Sequence, residues 1–244
     1  MPEAMSPRAA TSASAYDWIM SARYDGLAEW YDEFNAEGAA GNAPELAELL
    51  GPGDGPCLDL GCGTGQYLDA IRATGRTVVG LDRSADQLRL ARRRDPAPLF
   101  QGDGHALPFR DGAFGTVTAL WVSTDIPDFA ALTKEAARVL RPGGLLLFYG
   151  VHPCFNGPHI EKREDGAVTI HPTYRRTGWH PKGPWWREGG IRDRLGMSHV
   201  PLPDLINAFI DAGLVIERLA EPREHPVPLI LAVRAVRPQC PPGP

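Results

Sequence analysis

The sequence predicts an α/β protein built on a doubly wound, mostly parallel seven-stranded sheet with an antiparallel edge strand. Three observations point there. From residue 56 onward, short apolar segments alternate with segments of helical period, as parallel βαβ units require. A glycine-dense turn, "GCGTG", joins the first strand to the following helix, at the edge where open α/β sheets take ligands. The closing stretch "LPDLINAFIDAGLVIERLAEP" then "PLILAVRAVRP" reads helix, strand, strand and finishes the sheet antiparallel.

Taken in order, residues 1–15 are rich in Ala and Ser and read as a disordered tail. In residues 16–50, Tyr24, Leu27, Trp30, Tyr31 and Phe34 recur at three- and four-residue steps, which predicts one or two amphipathic helices. "APELAELL" predicts a further short helix, stopped by Gly51-Pro52-Gly53. "PCLDLGCG" is the first strand and "GQYLDAIRA" the helix after it. "TVVGLD" is the second strand. "SADQLRLARRR" follows as a helix with Ser84 at its N-cap and arginines at its C-terminal end. "PLFQGD" and "GTVTALWV" are the third and fourth strands, and "DFAALTKEAARVL" is a helix that ends at Arg141-Pro142-Gly143-Gly144 before the fifth strand "LLLFYGV". Residues 152–200 differ: rich in Pro, Gly, His, Trp and Arg and without a clear period, they predict a cap inserted over the sheet's carboxyl edge. Residues 51–151 and 201–238 then form the sheet domain.

Bulk properties narrow the class. A length of 244 residues suits one α/β domain with a cap, or two small domains. A net charge of −5 argues against a protein that holds nucleic acid by its overall field. The four cysteines, Cys57, Cys62, Cys154 and Cys240, show no C-x-x-C spacing, so neither a zinc site nor a disulfide framework is expected. The histidines of the cap lack metal-ligand spacing, and no metal is expected. No apolar h-region opens the chain and no run of eighteen apolar residues occurs, which makes the cytoplasm the expected location, with no membrane contact.

The glycine turn limits its ligand. A P-loop needs a lysine after its glycines, and none is present. A dinucleotide fingerprint needs G-x-G-x-x-G, whereas Gly61, Gly63 and Gly65 give G-x-G-x-G with Gln66 at the place of the third glycine. That reading is weaker but stays open on these residues alone.

"DLGCGTG" resembles the first motif of the class I S-adenosylmethionine-dependent methyltransferases, whose fold is Rossmann-like. A carboxylate at Asp59 suits a cationic, phosphate-free ligand and would repel a pyrophosphate. The resemblance continues in "VVGLDRS", where it implies that Asp82, 23 residues after Asp59, accepts the ribose hydroxyls beside Arg83. In "GDGHALPF" it implies Asp103 at the adenine amine, with Gly104 and His105 flanking the ring. "RDGAFGTVTALWV" and "EAARVLRPGGLLLFYG" match later motifs, although Gly115 stands where many members carry an acid. "YDGLAEWYDEF" resembles the family's lid, in which Tyr24 or Tyr31 closes over the cofactor, so residues 16–50 are expected to be a helical lid. The implied cofactor set is Tyr24, Tyr31, Asp59, Gly61, Cys62, Gly63, Gly65, Asp82, Arg83, Asp103, Gly104, His105 and Trp121. The implied cofactor is S-adenosylmethionine, released as S-adenosylhomocysteine.

The acceptor is harder to read. Residues at the fifth strand's end and in the cap are the candidates: His152, His199 and Tyr174 for a general base, and Tyr149, His180, Arg175, Arg176, Trp185 and Trp186 for substrate contacts. Each histidine could equally serve as a hydrogen-bonded structural residue, and Trp121 as packing. The cap carries eight positive residues against five negative, which suits an arginine fork for an anionic group or merely a solvated loop. Together these features imply methyl transfer to O, N or C of a small molecule by a monomer or homodimer. The alternatives are a methyltransferase acting on RNA or protein, which the acidic balance opposes, and a non-methylating enzyme such as a cyclase on the same scaffold.

Overall fold

The computed structural model describes residues 23–222 and 226–239. The expected tail (1–15), the first residues of the expected lid (16–22) and Cys240 lie outside the described residues.

The elements are α1 (Ala28–Leu50), β1 (Pro56–Leu60), α2 (Leu68–Ala73), β2 (Thr77–Asp82), α3 (Ala85–Arg94), β3 (Leu99–Gln101), β4 (Phe114–Leu120), α4 (Phe129–Val139) and β5 (Leu140–Val151). The cap follows with β6 (Ile160–Lys162), β7 (Val168–Ile170), β8 (Gly178–His180), α5 (Ile191–Leu195) and β9 (Met197–His199). The chain returns through α6 (Leu202–Asp211), β10 (Val215–Ala220) and β11 (Ile230–Val236). Seven strands form the main sheet in the order β10-β11-β5-β4-β1-β2-β3. All neighbours from β5 to β3 are parallel, and β11 is antiparallel to both β5 and β10. The reversed strand therefore sits one place in from the edge that β10 forms.

Burial explains the central strands. All seven residues of β4 are buried, and so are Cys57–Leu60 of β1, as continuous apolar strands covered on both faces should be. One face packs Phe129, Phe148 and Phe209 edge to face around β5, and the other packs Leu46, Leu50, Leu68 and Ile71 under α1 and α2. Burying a side chain such as Phe148 contributes about 2–3 kcal/mol. Caps act as the sequence predicts in α3, where Ser84 Oγ accepts from Gln87 N at 3.2 Å. In α4, Asp128 Oδ1 accepts from Ala131 N at 3.0 Å.

Two expectations change. The two or more N-terminal helices are one, because Pro44 is accommodated within α1. Its aromatic side chains do not enter the core: Phe34 is 47% exposed, and the buried residues of α1 are Ala28, Ala39, Asn42, Leu46 and Leu50. The cap is also more regular than its composition suggests, holding two antiparallel pairs, β6–β7 and β8–β9, outside the main sheet.

Candidate functional site

Strand order reverses between β1 and β4, and a cavity of about 420 Å³ opens there at the carboxyl ends of β1, β2 and β4. Backbone hydrogen bonds fix the glycine turn, since Gly61 N and Cys62 N both donate to Leu81 O, at 2.8 and 3.0 Å. Asp82 holds the next turn with both carboxylate oxygens: Oδ2 accepts from Gly63 N and Oδ1 from Ser84 N, each at 2.9 Å. Gly61 and Gly63 have φ of +78° and +55°, where L side chains are strained. A Cβ on Gly61 would also stand 2.5 Å from Val122 Cγ1. Backbone alone forms this wall, and a guest can approach it closely.

Opposite lie Asp103, Gly104 and His105. Asp103 Oδ1 accepts from His105 N and pairs with Nδ1, both at 2.9 Å, while His105 Nε2 meets Asp128 O at 3.0 Å. With an acceptor at each ring nitrogen, the imidazole's pKa rises, and the His105 hydrogen bond holds the Asp103 carboxyl down at about 2. Tyr24 and Tyr31 close the cavity from the α1 side with rings edge to face, 4.8 Å apart. Burial pushes both phenols up, and Asp125 adds to the effect.

Ten expected cofactor residues line this cavity: Tyr24, Tyr31, Gly61, Gly63, Asp82, Arg83, Asp103, Gly104, His105 and Trp121. Three do not. Asp59 is 2% exposed and accepts from Thr118 Oγ1 at 2.8 Å between β1 and β4, so it supports the turn from behind. Burial, with Asp82 close by and the Thr118 bond opposing, pushes its carboxyl up to about 7. Cys62 is buried against Gly80, and Gly65 packs on Leu68 and Ala91 under α3. The glycine motif marks the turn but does not say which of its side chains faces outward.

Two other lining residues, Gln87 and Arg23, had no signal of their own. Gln87 is buried at the start of α3, and its Oε1 has no partner. Arg23 places its guanidinium carbon 3.2 Å from the ring centre of Trp179 in the cap. Asp125, just past β4, accepts from Arg192 Nη1 at 3.2 Å, and Arg192 Nη2 donates to Thr124 Oγ1 at 2.7 Å. This pair ties the cap to the sheet.

A second cavity of about 1080 Å³ lies between α1 and the cap. Tyr31 and Trp121 line both cavities. Trp121 has φ +63°, the only non-glycine with positive φ among the described residues. Such a conformation is costly for a large side chain and recurs at functional sites. Its N–H donates to Tyr149 O at 2.7 Å and its indole Nε1 to Tyr67 Oη at 2.9 Å, which together hold the ring at the boundary. The second cavity is walled by Phe34, Trp185 and Trp186, and Lys162, Arg163, Arg187 and Arg192 also line it.

The expected base and most expected substrate contacts lie elsewhere. His152 is 3% exposed, with Nε2 donating to Glu221 Oε1 at 3.2 Å and Nδ1 accepting from Cys154 N at 3.1 Å. His199, equally buried, donates from Nε2 to Tyr174 O at 2.8 Å, and burial lowers its pKa to about 4. Tyr174 accepts from Leu202 N through its hydroxyl at 2.8 Å. None of the three lines either cavity: they hold the cap's loops to one another and to the returning chain at Leu202 and Glu221, since buried polar groups must find partners. Tyr149 is buried with its hydroxyl donating to Glu45 Oε2 at 3.2 Å, and His180 Nε2 donates to Arg176 O at 3.1 Å. Arg175 and Arg176 are exposed and outside both cavities. Of the expected substrate residues, only Trp185 and Trp186 face one. Among the described residues, no group of three or more His, Cys, Asp or Glu could hold a metal ion, and no helix is long and apolar enough to cross a membrane.

Residues 58–148 match the family model described as a methyltransferase domain. A demethylmenaquinone methyltransferase from Corynebacterium urealyticum is 40% identical over 97 residues, 40% of this chain and 41% of that protein. A fatty-acid O-methyltransferase from Mycolicibacterium smegmatis is 36% identical over 110 residues, 43% of this chain and 40% of that protein. This chain thus spans about two fifths of the length of these curated relatives. The crystal structure of an S-adenosylmethionine-dependent methyltransferase from Mesorhizobium loti superposes with a TM-score of 0.68 at 25% identity, covering 82% of this chain and 100% of that one.

Proposed function

From the premise that residues 58–148 are a methyltransferase domain of the class I S-adenosylmethionine-dependent fold, we propose that this protein methylates a small molecule held in the second cavity. One observation carries the reading: two cavities of different character meet at a shared wall, Tyr31 and Trp121.

The lining of the first cavity suits the cofactor of that class. Asp82, Asp103 and Asp125 face it together with Arg23 and Arg83, a balance that disfavours a pyrophosphate and favours a cationic nucleoside without phosphates. The buried Gln87 Oε1, an acceptor with no partner, calls for a donor from the guest. When bound, S-adenosylmethionine supplies a methyl group on a positively charged sulfur, and the bonding pair stays on that sulfur as the methyl leaves.

The chain's own work is positioning and exclusion of water. Asp82 accepts the ribose hydroxyls; its carboxylate is already aimed by the Gly63 and Ser84 amides. Asp103, Gly104 and His105 take the adenine, and the bare Gly61 and Gly63 backbone takes the amino-acid end. Tyr24 and Tyr31 cover it. Asp59 acts through Thr118 and the turn, as a positioning residue. Tyr31 and Trp121 orient the acceptor at the boundary, where its lone pair makes the new bond. No histidine of the cap lines this boundary, so a proton lost by the acceptor passes to solvent or to a group other than His152 or His199. A concave cavity walled by aromatic side chains with a few polar groups favours a small molecule over RNA or protein.

The test is transfer from methyl-labelled cofactor into an extract of small metabolites and, separately, into bulk RNA. Label in small molecules is expected. Label in RNA alone overturns the acceptor class, and cofactor binding without any transfer overturns the reaction. Calorimetric titration with S-adenosylhomocysteine tests the site: Asp82→Ala binding as tightly as wild type would remove the assignment.

A further inference from the structure

Building on the methyl-transfer reading, we infer that the acceptor is a flat amphipathic acid: a conjugated body that presents an O–H or N–H at one end and an anionic group at the other. Three features of the second cavity point to it.

At its floor, Asn42 of α1 is 4% exposed. Its Nδ2 donates to Tyr67 Oη at 3.2 Å, but its Oδ1 is buried and has no partner. The same Tyr67 oxygen receives the indole N–H of Trp121, the residue at the boundary of the two cavities. An enclosed carbonyl oxygen left without a donor is unfavourable, and buried polar groups are almost always paired. A guest with an O–H or N–H at this end supplies the missing donor beside the boundary. A carbon nucleophile supplies none.

The walls are flat and held in place. Trp185 stacks on His171 with ring centres 3.9 Å apart and planes 1° from parallel, and His171 Nε2 pairs with Glu161 Oε2 at 3.0 Å. Trp185 is nonetheless 39% exposed, and Phe34 across the cavity is more so. Large aromatic faces left open on one cavity suit a planar apolar body.

At the rim the charges are not matched. Arg163 pairs with Asp165, Arg192 with Asp125, and Asp193 with Lys182. Lys162 and Arg187 line the cavity with no side-chain partner among the described residues, against one unpaired carboxylate, Glu164, on the exposed β6–β7 turn. A carboxylate or a phosphate monoester fills that place.

The probes are hydroxynaphthoate, para-hydroxycinnamate and hydroxybiphenylcarboxylate, each beside its neutral carboxamide and its O-methyl ether, with hydroxynaphthyl phosphate as the second anion. Binding is read by tryptophan fluorescence and calorimetry on the full chain saturated with S-adenosylhomocysteine. The expected result is that acids bind about ten-fold tighter than their amides, and that Lys162→Gln with Arg187→Gln removes the difference. Free hydroxyls should bind several-fold tighter than their ethers, a preference lost in Asn42→Ala. Lys162 and Arg187 are exposed, so that variant folds even if Asn42→Ala does not. Whichever of carboxylate and phosphate binds tighter identifies the anion. Amides equal to acids, an unchanged preference in the double variant, or no binding by any probe overturns the inference. Failure of S-adenosylhomocysteine to bind wild type, or equal binding to Asp82→Ala, overturns the underlying reading instead.

Discussion

The two cavities are built by different means. The first lies on the carboxyl ends of hydrogen-bonded parallel strands, so its key groups are fixed by sheet register: Asp59 pairs with Gly80 across β1 and β2, and Asp82 with Gln101 across β2 and β3. The second is assembled from α1 and a cap whose sheets have two short strands each, and it depends on side-chain ties such as Arg192 with Asp125. Register tolerates little change, and side-chain ties tolerate a great deal. A scaffold of this kind keeps one ligand fixed and leaves the other free to vary.

The sharpest way to break this comparison is Asp82→Ala. It removes the carboxylate that organises the Gly63 and Ser84 amides and, on the proposed function, the acceptor of the ribose hydroxyls. Two charge-assisted hydrogen bonds at roughly 1.5–3 kcal/mol each predict a loss of about a hundred-fold or more in S-adenosylhomocysteine affinity by calorimetry. Ligands of the second cavity should be affected far less. Equal losses at both cavities would mean that the two are one cooperative site.

Acid should separate the regions next, because their titrating groups shift in opposite directions. Burial lowers the pKa of His152 and His159 and brings His199 down to about 4, against an ordinary value of about 6.5. The unfolded chain therefore takes up these protons first. The stability of the cap is intact above about pH 6.5 and erodes as the pH falls toward 4, by roughly 3 kcal/mol for His199 alone. Asp59 behaves conversely. Its carboxyl is raised to about 7, so its contribution is fully present at low pH and is lost as the pH rises through 7. Hydrogen exchange between pH 7 and 5 should show protection falling in residues 152–200 while β1 and β2 hold. Uniform loss would refute the division.

A smaller effect tests the tie itself. Arg192→Leu leaves Asp125 and Thr124 without their partner and should loosen the cap. One partly buried charged pair at roughly 1–2 kcal/mol predicts about a ten-fold weakening at the second cavity. Only a few-fold change is expected at the first, through Tyr24 and Asp125. Asp125→Asn should retain part of the bond and fall between the two.

The same division governed what the sequence could reveal. Strand-ending acids and alternating glycines are local patterns; they mark the turn, and the family resemblance they carry pointed to ten of the first cavity's residues. What could not be read was side-chain direction within the pattern. Asp59 meets Thr118 because the two are register partners on β1 and β4 and so share one face of the sheet. The cap gave no such register. Its histidines carry the composition of a catalytic site, yet His199 satisfies a carbonyl within the cap and His152 the Glu221 carboxylate just past β10. Arg23 and Asn42 reach their cavities through tertiary contacts that no neighbouring residue announces, and Trp121's left-handed backbone has no sequence signature.

The smallest expected effect is also the one that best separates composition from geometry. Arg175 and Arg176 look in sequence like an anion fork, adjacent and embedded among aromatic residues. In the fold both are exposed and outside the two cavities, and Arg176 contributes its carbonyl to His180. Exposed guanidinium groups away from a ligand act only through a screened field, worth about a few tenths of a kcal/mol. Arg175→Gln with Arg176→Gln should therefore change the affinity for an acidic acceptor by less than about two-fold at physiological salt. A ten-fold loss in that double variant, measured by the same tryptophan fluorescence titration used for Lys162 and Arg187, would move the anion's place from the β6 side of the cavity to the loop before β8.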